Sequence, residues 1–370
     1  MPAAARSTPW GAVALAAFVA VTLGLLLLFA PNRAAKAAGG LALTAALPDS
    51  VPQGTVITIG DPVTQWVVQH EGWDKELPFT IKWVQITGGP DVTEAFHAKA
   101  LDVGLGANVP PIHAAWVGLP VKIIAAAYRQ DPLAHPAFVL GIAPGAHIRS
   151  IADLRGKRIA ISPSQVQGQI VLETLRAAGL TERDVTLVEM PSSIGGDVYT
   201  SALASNAVDM APIGWGIVAE RYLRKFGRDG ATILNHPDFR DDPVFAYVPV
   251  DVLRDPAKAA ALRQFALLWG RVQAWKLAHP EALARGYYVG EQGLPLDDAR
   301  LIVDAAGKPD VPARWAHAIR YEQAAIDLLG PELHHPRLDA ATLFDPRFEN
   351  LAARGFEAAG GHASNPPPAP

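Results

Sequence analysis

The 370-residue sequence contains no cysteine. Disulfide bonds, thiolate metal sites, cysteine nucleophiles and a lipid-modified N-terminal cysteine are therefore all excluded. The absence of thiols is compatible with an oxidising cell envelope, where a free thiol is a liability, although it does not by itself identify the compartment.

Charged residues are also few, at 18% of the chain, with 32 Lys and Arg against 36 Asp and Glu. The sequence has no run of Lys and Arg that would build a nucleic-acid interface, and its mildly acidic character disfavours binding to a phosphate backbone. Half of the residues are hydrophobic, which is typical of a globular chain rather than a disordered one.

One long segment near the N-terminus lacks charge entirely. Residues 7–32 contain no charged side chain, and residues 12–30 are almost wholly apolar. This pattern predicts either a cleaved signal peptide or an uncleaved membrane anchor within residues 1–37. Small residues at 35 and 37 favour cleavage, whereas the length of the apolar run favours an anchor, so both alternatives stay open. Either one places the rest of the chain outside the cytoplasmic membrane.

Two further segments are predicted to lie outside the folded body. Residues 38–54 are interpreted as a linker. Residues 357–370 end in a proline-rich sequence and are predicted to be a disordered tail.

The body alternates between strand and helix patterns. A β-branched strand at 55–60 is followed by a helix that begins at Pro62, and the alternation continues to residue 127. A second run of the same kind occupies 138–234, and the remainder returns to helix. Such alternation is typical of mainly parallel sheets covered by helices, so the sequence predicts an α/β protein with two lobes.

Three stretches of the body carry a resemblance to a known family. They are Thr87–Ala126, Ile148–Met190 and Ala202–Leu223. Together, and in this order, they closely resemble the aliphatic sulfonate, nitrate and taurine binding proteins of ABC importers. The resemblance implies the two-lobed type 2 periplasmic-binding-protein fold, in which each lobe is a mainly parallel sheet flanked by helices and the ligand cleft lies between the lobes. Lobe 1 would comprise residues 55–143 plus 240–356, and lobe 2 residues 144–239.

The resemblance also implies a function. It implies an extracytoplasmic substrate-binding protein, a monomer without cofactor or metal, that delivers a small polar or anionic ligand to an ABC transporter permease in the cytoplasmic membrane. Two alternatives stay open, namely a cysteine-independent enzyme on the same scaffold and a sensory binding module held by the N-terminal segment. The thiamine-precursor synthase and the sulfinate desulfinase that resemble this fold depend on cysteines, which this chain lacks.

Candidate ligand-binding residues lie where strands end and helices begin. Ligands of open parallel sheets bind beyond the carboxyl ends of the strands. Free N–H groups and the helix dipole attract anionic oxygens there without any Lys or Arg. The candidate residues from these junctions, with one loop glycine and one loop cation, are Asp61, Thr64, Gln65, Trp66, Gly88, Asn108, Val109, Arg129, Ser162, Ser164, Gln165, Gln167, Gly214 and Trp215.

Within this set the roles are predicted to differ. The turn containing Ser162 and Ser164, whose counterpart in the resembling family is a ligand loop, is predicted to hold the polar head of the ligand. Asn108 is predicted to face that turn from lobe 1, and Trp66 and Trp215 to cover the apolar part of the ligand. Each residue also has a structural interpretation, because Ser and Asn are common helix N-caps and Trp is common in cores.

Overall fold

The computed structural model describes residues 40–86, 88–191 and 197–363. The predicted signal peptide or anchor lies outside these residues. Within them, no helix is both long and apolar enough to cross a membrane. From Ala42 onward the chain belongs to one compact unit.

The described residues form two sheets, one of six strands and one of five. The strands are β1 (Val56–Gly60), β2 (Thr80–Trp83), β3 (Val103–Gly106), β4 (Val121–Arg129), β5 (Phe138–Ile142), β6 (Arg158–Ile161), β7 (Thr186–Glu189), β8 (Met210–Gly214), β9 (Thr232–Leu234), β10 (Val244–Pro249) and β11 (Pro309–Asp310).

Helices connect and cover the strands. The α-helices are α1 (Pro62–His70), α2 (Gly89–His97), α3 (Val109–Trp116), α4 (Val166–Ala177), α5 (Asp197–Ala204), α6 (Ile217–Phe226), α7 (Val250–Leu253), α8 (Pro256–Ala278), α9 (Pro280–Leu283), α10 (Leu296–Ala305), α11 (Ala316–Glu332) and α12 (Leu351–Ala358). A π-helix spans Ala284–Glu291. Short 3₁₀ turns lie at Trp73–Glu76, Ile151–Leu154, Glu182–Asp184, Gly227–Asp229, Ala340–Leu343 and Pro346–Phe348.

The two sheets share one strand arrangement. The first has the order β2-β1-β3-β10-β4-β11 and the second β7-β6-β8-β5-β9. In the first, β1 is parallel to β2 and β3, while β10 is antiparallel to β3 and β4. In the second, β6 is parallel to β7 and β8, while β5 is antiparallel to β8 and β9. Each sheet therefore has a set of co-directional strands interrupted by one antiparallel strand, and the short edge strand β11 of the first sheet is also antiparallel to its neighbour β4. This arrangement agrees with the predicted mainly parallel α/β fold.

The chain crosses between the sheets twice, from β4 to β5 and from β9 to β10. The predicted boundary between lobe 1 and lobe 2 at residue 143 needs correction. Strand β5 lies before this boundary, yet it pairs with β8 and β9 of the second sheet. Sequence pattern could not show this, since the partners of β5 lie some 70 to 90 residues further on, as in the pairing of Leu140 with Pro212 and Leu234. The remaining lobe boundaries stay a prediction.

Each sheet has its own hydrophobic core. Against the first core, α8 packs closely on α12, because two glycines remove the side chains that would keep the helices apart. A Cβ on Gly270 would lie 1.9 Å from the carbonyl oxygen of Ala352, and a Cβ on Gly355 would lie 1.9 Å from that of Leu267. The C-terminal part of the chain is thereby fixed to the first sheet.

The predictions that residues 38–54 and 357–370 lie outside the folded body are both partly wrong. Leu43, Leu47 and Val51 pack against the first core. At the other end, α12 extends to Ala358 and Ala363 packs against the same core. Residues 364–370 of the predicted tail lie outside the described residues.

Buried ions connect the two crossing segments. Asp241 accepts hydrogen bonds from the backbone N–H groups of Ala137 (2.9 Å) and Phe138 (2.7 Å). Arg240 donates to the carbonyl oxygen of Arg129 at 2.7 Å and binds both carboxylate oxygens of Asp242. These hydrogen bonds hold the β4–β5 connection to the β9–β10 connection. The two connections are therefore expected to move together.

Candidate functional site

Buried polar side chains of the two sheets meet at the start of α4. Asn108, between β3 and α3, donates through Nδ2 to Oε1 of Gln169 on α4 at 2.7 Å. The two residues are only 3% and 6% exposed. Asn108 follows a strand of the first sheet, and Gln169 lies on a helix that follows a strand of the second. This hydrogen bond therefore connects the two sheets.

Gln165 makes a second connection between the sheets. It occupies the N-cap position of α4 without a side-chain capping hydrogen bond. Its amide instead lies against Gly89, where a Cβ would stand only 1.4 Å from Nε2. A glycine at the start of α2 is therefore necessary for Gln165 to reach the first sheet.

Three polar atoms of this region lack hydrogen-bond partners among the described residues. They are Oδ1 of Asn108, Nε2 of Gln165 and Oε1 of Gln167, all of them buried. A buried polar atom without a partner costs about 1–3 kcal/mol, so native proteins almost always satisfy such atoms with protein, water or ligand. These atoms, which we call the amide cluster, therefore indicate where a polar molecule binds.

The predicted serines lie beside the amide cluster. Ser162 is buried, and its carbonyl oxygen accepts a hydrogen bond from the N–H of Gln165 at 3.1 Å. Ser164 is half-buried. The N-cap of α4 is Gln165, and Asn108 makes no side-chain cap of α3. The capping interpretation thus does not explain these side chains.

A cavity of about 270 Å³ lies at the carboxyl ends of β1, β3 and β4. Asp61, Thr64 and Arg129 from the predicted set line it. Residues of later helices also line it, and the polar ones are Gln273 and Lys276 of α8 and Tyr288 of the π-helix.

Asp61 and Lys276 contribute opposite charges to this cavity. Asp61 caps α1, because its Oδ1 accepts the N–H of Thr64 at 3.1 Å. Burial raises the pKa of the Asp61 carboxyl, against the lowering effects of the Thr64 hydrogen bonds and the Lys276 charge. Burial likewise lowers the pKa of Lys276, whereas the Asp61 charge raises it. Lys276 donates to Oε1 of Gln273 at 3.1 Å.

Arg129 also lines the cavity, and one nitrogen of its guanidinium is engaged. Nη1 donates to the carbonyl oxygens of His135 (2.6 Å), Pro136 (2.7 Å) and Ala305 (3.2 Å). The predicted cleft cation therefore also holds the β4–β5 connection in place.

The predicted aromatic residues are placed differently from one another. Trp66 stacks on His70 with a centroid separation of 4.6 Å and contacts the edge of Trp275 at 5.8 Å. It therefore belongs to an aromatic group between α1 and α8. Trp215, directly after β8, is 38% exposed, and its backbone N–H donates to the carbonyl oxygen of Ala137 at 2.9 Å.

The other predicted residues serve mainly to shape the junctions. Gln65 accepts a hydrogen bond from Gln85 on an exposed surface. Gly88 is the N-cap of α2, and Gly214 ends β8 opposite Phe138. Val109 starts α3 but is fully buried in the core of the second sheet, so it joins the two cores by packing.

Lys276 is the most informative residue that the prediction of the site omitted. The sequence signal was present, because Lys276 follows Leu262, Phe265, Trp269 and Val272 on one stripe of α8 that is otherwise apolar. Lys276 is half-buried, and a lysine on the core-facing stripe of a helix is a candidate for function, since withdrawing a charge from water is costly.

The sequence comparisons confirm the resemblance. Residues 65–232 match the family model described as NMT1/THI5 like. Over 117 residues the chain is 29% identical to a protein of Escherichia coli (strain K12) described as aliphatic sulfonates-binding, covering 31% of this chain and 35% of that protein. The match thus spans about a third of the length of the curated relative.

Solved structures share the fold. The alkanesulfonate-binding protein SsuA from Xanthomonas axonopodis pv. citri, bound to MOPS, has a TM-score of 0.62 at 20% identity, covering 80% of this chain and 99% of that one. The periplasmic aliphatic sulphonate binding protein SsuA from Escherichia coli has a TM-score of 0.62 at 19% identity, covering 79% and 92%. The desulfurization enzyme DszB follows with 0.55 at 12% identity, covering 80% and 98%. The chain therefore has a fold found in both binding proteins and an enzyme.

Proposed function

We propose that this chain, whose residues 65–232 belong to the NMT1/THI5-like family, is an extracytoplasmic substrate-binding protein of an ABC importer. It binds a small polar or anionic ligand of the sulfonate, nitrate or taurine kind between its two sheets and delivers it to a permease. The observation that carries the proposal is the amide cluster, whose unpartnered atoms come from both sheets. A ligand that satisfies all of them must contact both sheets at once.

Location and assembly complete the proposal. A signal peptide or an uncleaved anchor within residues 1–37 exports the folded body, which works as a monomer at the outer face of the cytoplasmic membrane. The uncharged apolar run of residues 12–30 supports export. The lack of cysteine supports binding without turnover over the cysteine-dependent chemistry of enzymes that resemble this fold.

A ligand panel tests the proposal. Alkanesulfonates, aminoalkanesulfonates, nitrate and small carboxylates are added to the full chain, and the melting temperature is recorded. A ligand that binds only the folded state stabilises it by about 2.7 kcal/mol at a hundred times its Kd. We expect at least one sulfonate to raise the melting temperature and to be recovered unchanged by NMR. Conversion of the ligand to a product would favour the enzyme alternative instead.

Gln165→Met provides a prediction at single-residue level. Methionine keeps the length of the side chain beside Gly89 but removes the amide. We expect affinity for the ligand found in the panel to fall about tenfold, which corresponds to the loss of about 1.4 kcal/mol in one hydrogen bond to a charged group. The ligand-free protein should be no less stable, because an unpartnered buried amide is removed. Calorimetric titration and urea unfolding measure the two quantities.

The matched control for Gln165→Met is Gln69→Met. Gln69 is an exposed glutamine on α1, so its replacement should change neither affinity nor stability. Unchanged affinity together with lower stability in Gln165→Met would show that Gln165 only joins the two sheets.

A further inference from the structure

Helix α10 lies between the cavity of the first sheet and helix α6 of the second. On one side, Val303 and the C-cap residue Ala306 line the cavity of about 270 Å³. On the other side, Ala305 lies against Gly216, the N-cap of α6. One helix therefore forms part of the wall of the candidate site and also contacts a helix of the second sheet.

Gly216 brings these two helices together because it has no side chain. Its φ is +78°, a value that residues with a side chain rarely adopt. A Cβ at this position would lie 2.6 Å from the Cβ of Ala305 and 3.6 Å from the carbonyl oxygen of Leu301. Carbon atoms in contact are normally about 3.5–4.0 Å apart, so even an alanine here requires α10 and α6 to separate by about 1 Å.

An ion pair joins the other end of α10 to α6. Nη2 of Arg221 donates to Oδ2 of Asp298 at 2.8 Å, and Asp298 lies in the first turn of α10. Gly216 and Arg221 thus contact α10 near its two ends. These two contacts fix both the position and the direction of α10 relative to α6.

The segment that contains α10 is attached to the first sheet at its two ends. It leaves α8 after Ala278 and returns at Pro309, where β11 pairs with β4. Glycines with positive φ lie on either side of α10, Gly293 at +66° and Gly307 at +66°. Because glycine adopts many backbone conformations at little cost, these two positions allow α10 to shift relative to the first sheet.

The polar contacts of α10 with the first sheet are compatible with such a shift. The carbonyl oxygen of Ala305 accepts a hydrogen bond from Arg129 at 3.2 Å, at the point where the chain leaves β4 for the second sheet. Arg300 binds Glu281 of α9, but both side chains are about half exposed, and exposed ion pairs hold elements together only weakly.

We propose that α10 is a movable roof of the cavity and that the second sheet positions this roof through Gly216 and Arg221. When the sheets come together, α6 presses α10 onto the cavity, and when they separate, α10 follows α6. Gly216 is then a positioning residue, because it affects the site without lining it. The ligand in this inference rests on the proposed function, whereas the coupling of α10 to α6 does not.

Distance measurements test the coupling without any ligand. Because the chain has no cysteine, one spin label is placed at the exposed Asp297→Cys on α10 and a second at Lys82→Cys on β2 or Arg183→Cys beside β7. For the ligand-free chain, double electron–electron resonance should give a narrow distribution from α10 to the second sheet and a broad one from α10 to the first. A narrow distribution from α10 to the first sheet would overturn the inference.

Gly216→Ala tests the contact itself. Calorimetric titration with methanesulfonate, ethanesulfonate and propanesulfonate should give affinities lower by about tenfold, because the added methyl group displaces the roof. Gly216→Ala combined with Ala305→Gly should recover most of the loss, since the two methyl groups no longer meet. Gly156→Ala is the matched control, because Gly156 has a φ of +74° but no atom within 4 Å of its Cβ position.

The outcomes separate this inference from the proposed function. If sulfonates bind Gly216→Ala as tightly as the parent, or if the double variant recovers nothing, Gly216 does not position the roof and the proposed function stands. If no sulfonate, nitrate or carboxylate of the panel binds, the proposed function fails, and the spin-label distances still decide whether α10 follows the second sheet.

Discussion

Replacing Arg240 by methionine is expected to lower the free energy of unfolding by about 3–5 kcal/mol. The side chains of Arg240 and Asp242 are 2% and 0% exposed, so the loss of the guanidinium leaves a buried carboxylate without its cation. It also removes the hydrogen bond to the carbonyl oxygen of Arg129 that holds the two crossing segments together. Urea unfolding of the ligand-free chain measures the change.

Arg221→Met is the matched control for this effect. The Arg221–Asp298 ion pair also connects elements of the two sheets, at 2.8 Å, but its arginine is 50% exposed. Exposed pairs contribute about 1 kcal/mol or less. Equal losses of stability in the two variants would show that burial of the hinge ions is not what matters. Removing both charges, in Arg240→Met with Asp242→Leu, should recover part of the loss.

Glu322→Gln is expected to stabilise the protein at neutral pH and to leave it unchanged in acid. Glu322 of α11 is fully buried, and neither carboxylate oxygen has a hydrogen-bond partner within the described residues. Burial raises the pKa of this carboxyl well above its ordinary value. The folded state therefore retains a proton that the unfolded chain releases above its own pKa of about 4.3.

The sign of the pH dependence follows from this difference. Because the folded state binds more protons, stability of the parent falls as the pH rises from about 4.3 to the folded pKa, by about 1.4 kcal/mol per pH unit. Glutamine does not titrate, so the advantage of Glu322→Gln should grow over the same interval. Urea midpoints at acidic and neutral pH measure it, with the exposed Glu94→Gln as control. A constant difference between parent and variant at all pH values would rule out a protonated Glu322.

Local patterns in the sequence were sufficient for much of the fold. Strands such as β1 and β6 and the helices that follow them were predicted because apolar alternation, glycine and proline act over a few residues. The central strand β10 was not predicted, and β5 was assigned to the wrong sheet, because their positions depend on partners far away in sequence. Phe245, for example, pairs with Gly106 on one side and Ala126 on the other.

The candidate site shows the same limit. Asn108 and Gln165 were found because a strand end that leads into a helix is a local signal. Lys276 was omitted from the site because only the packing of α8 against the first sheet brings it into the same cavity as Asp61. Trp66 was assigned to the right junction, but the direction of its ring depends on Gly286, where a Cβ would lie 2.2 Å from the indole.

The central claim is that a small ligand binds between the two sheets and draws them together, which is a hinge motion about the two crossing segments. Since the chain has no cysteine, spin labels can be placed without background at Lys82→Cys on β2 and at Arg183→Cys beside β7, both exposed. Double electron–electron resonance then measures the distance between the outer edges of the two sheets.

We predict a broad distribution with a longer distance in the ligand-free chain and a single shorter distance with saturating sulfonate. An identical distribution with and without every sulfonate, nitrate and carboxylate of the panel would contradict the claim that the ligand is captured between the sheets.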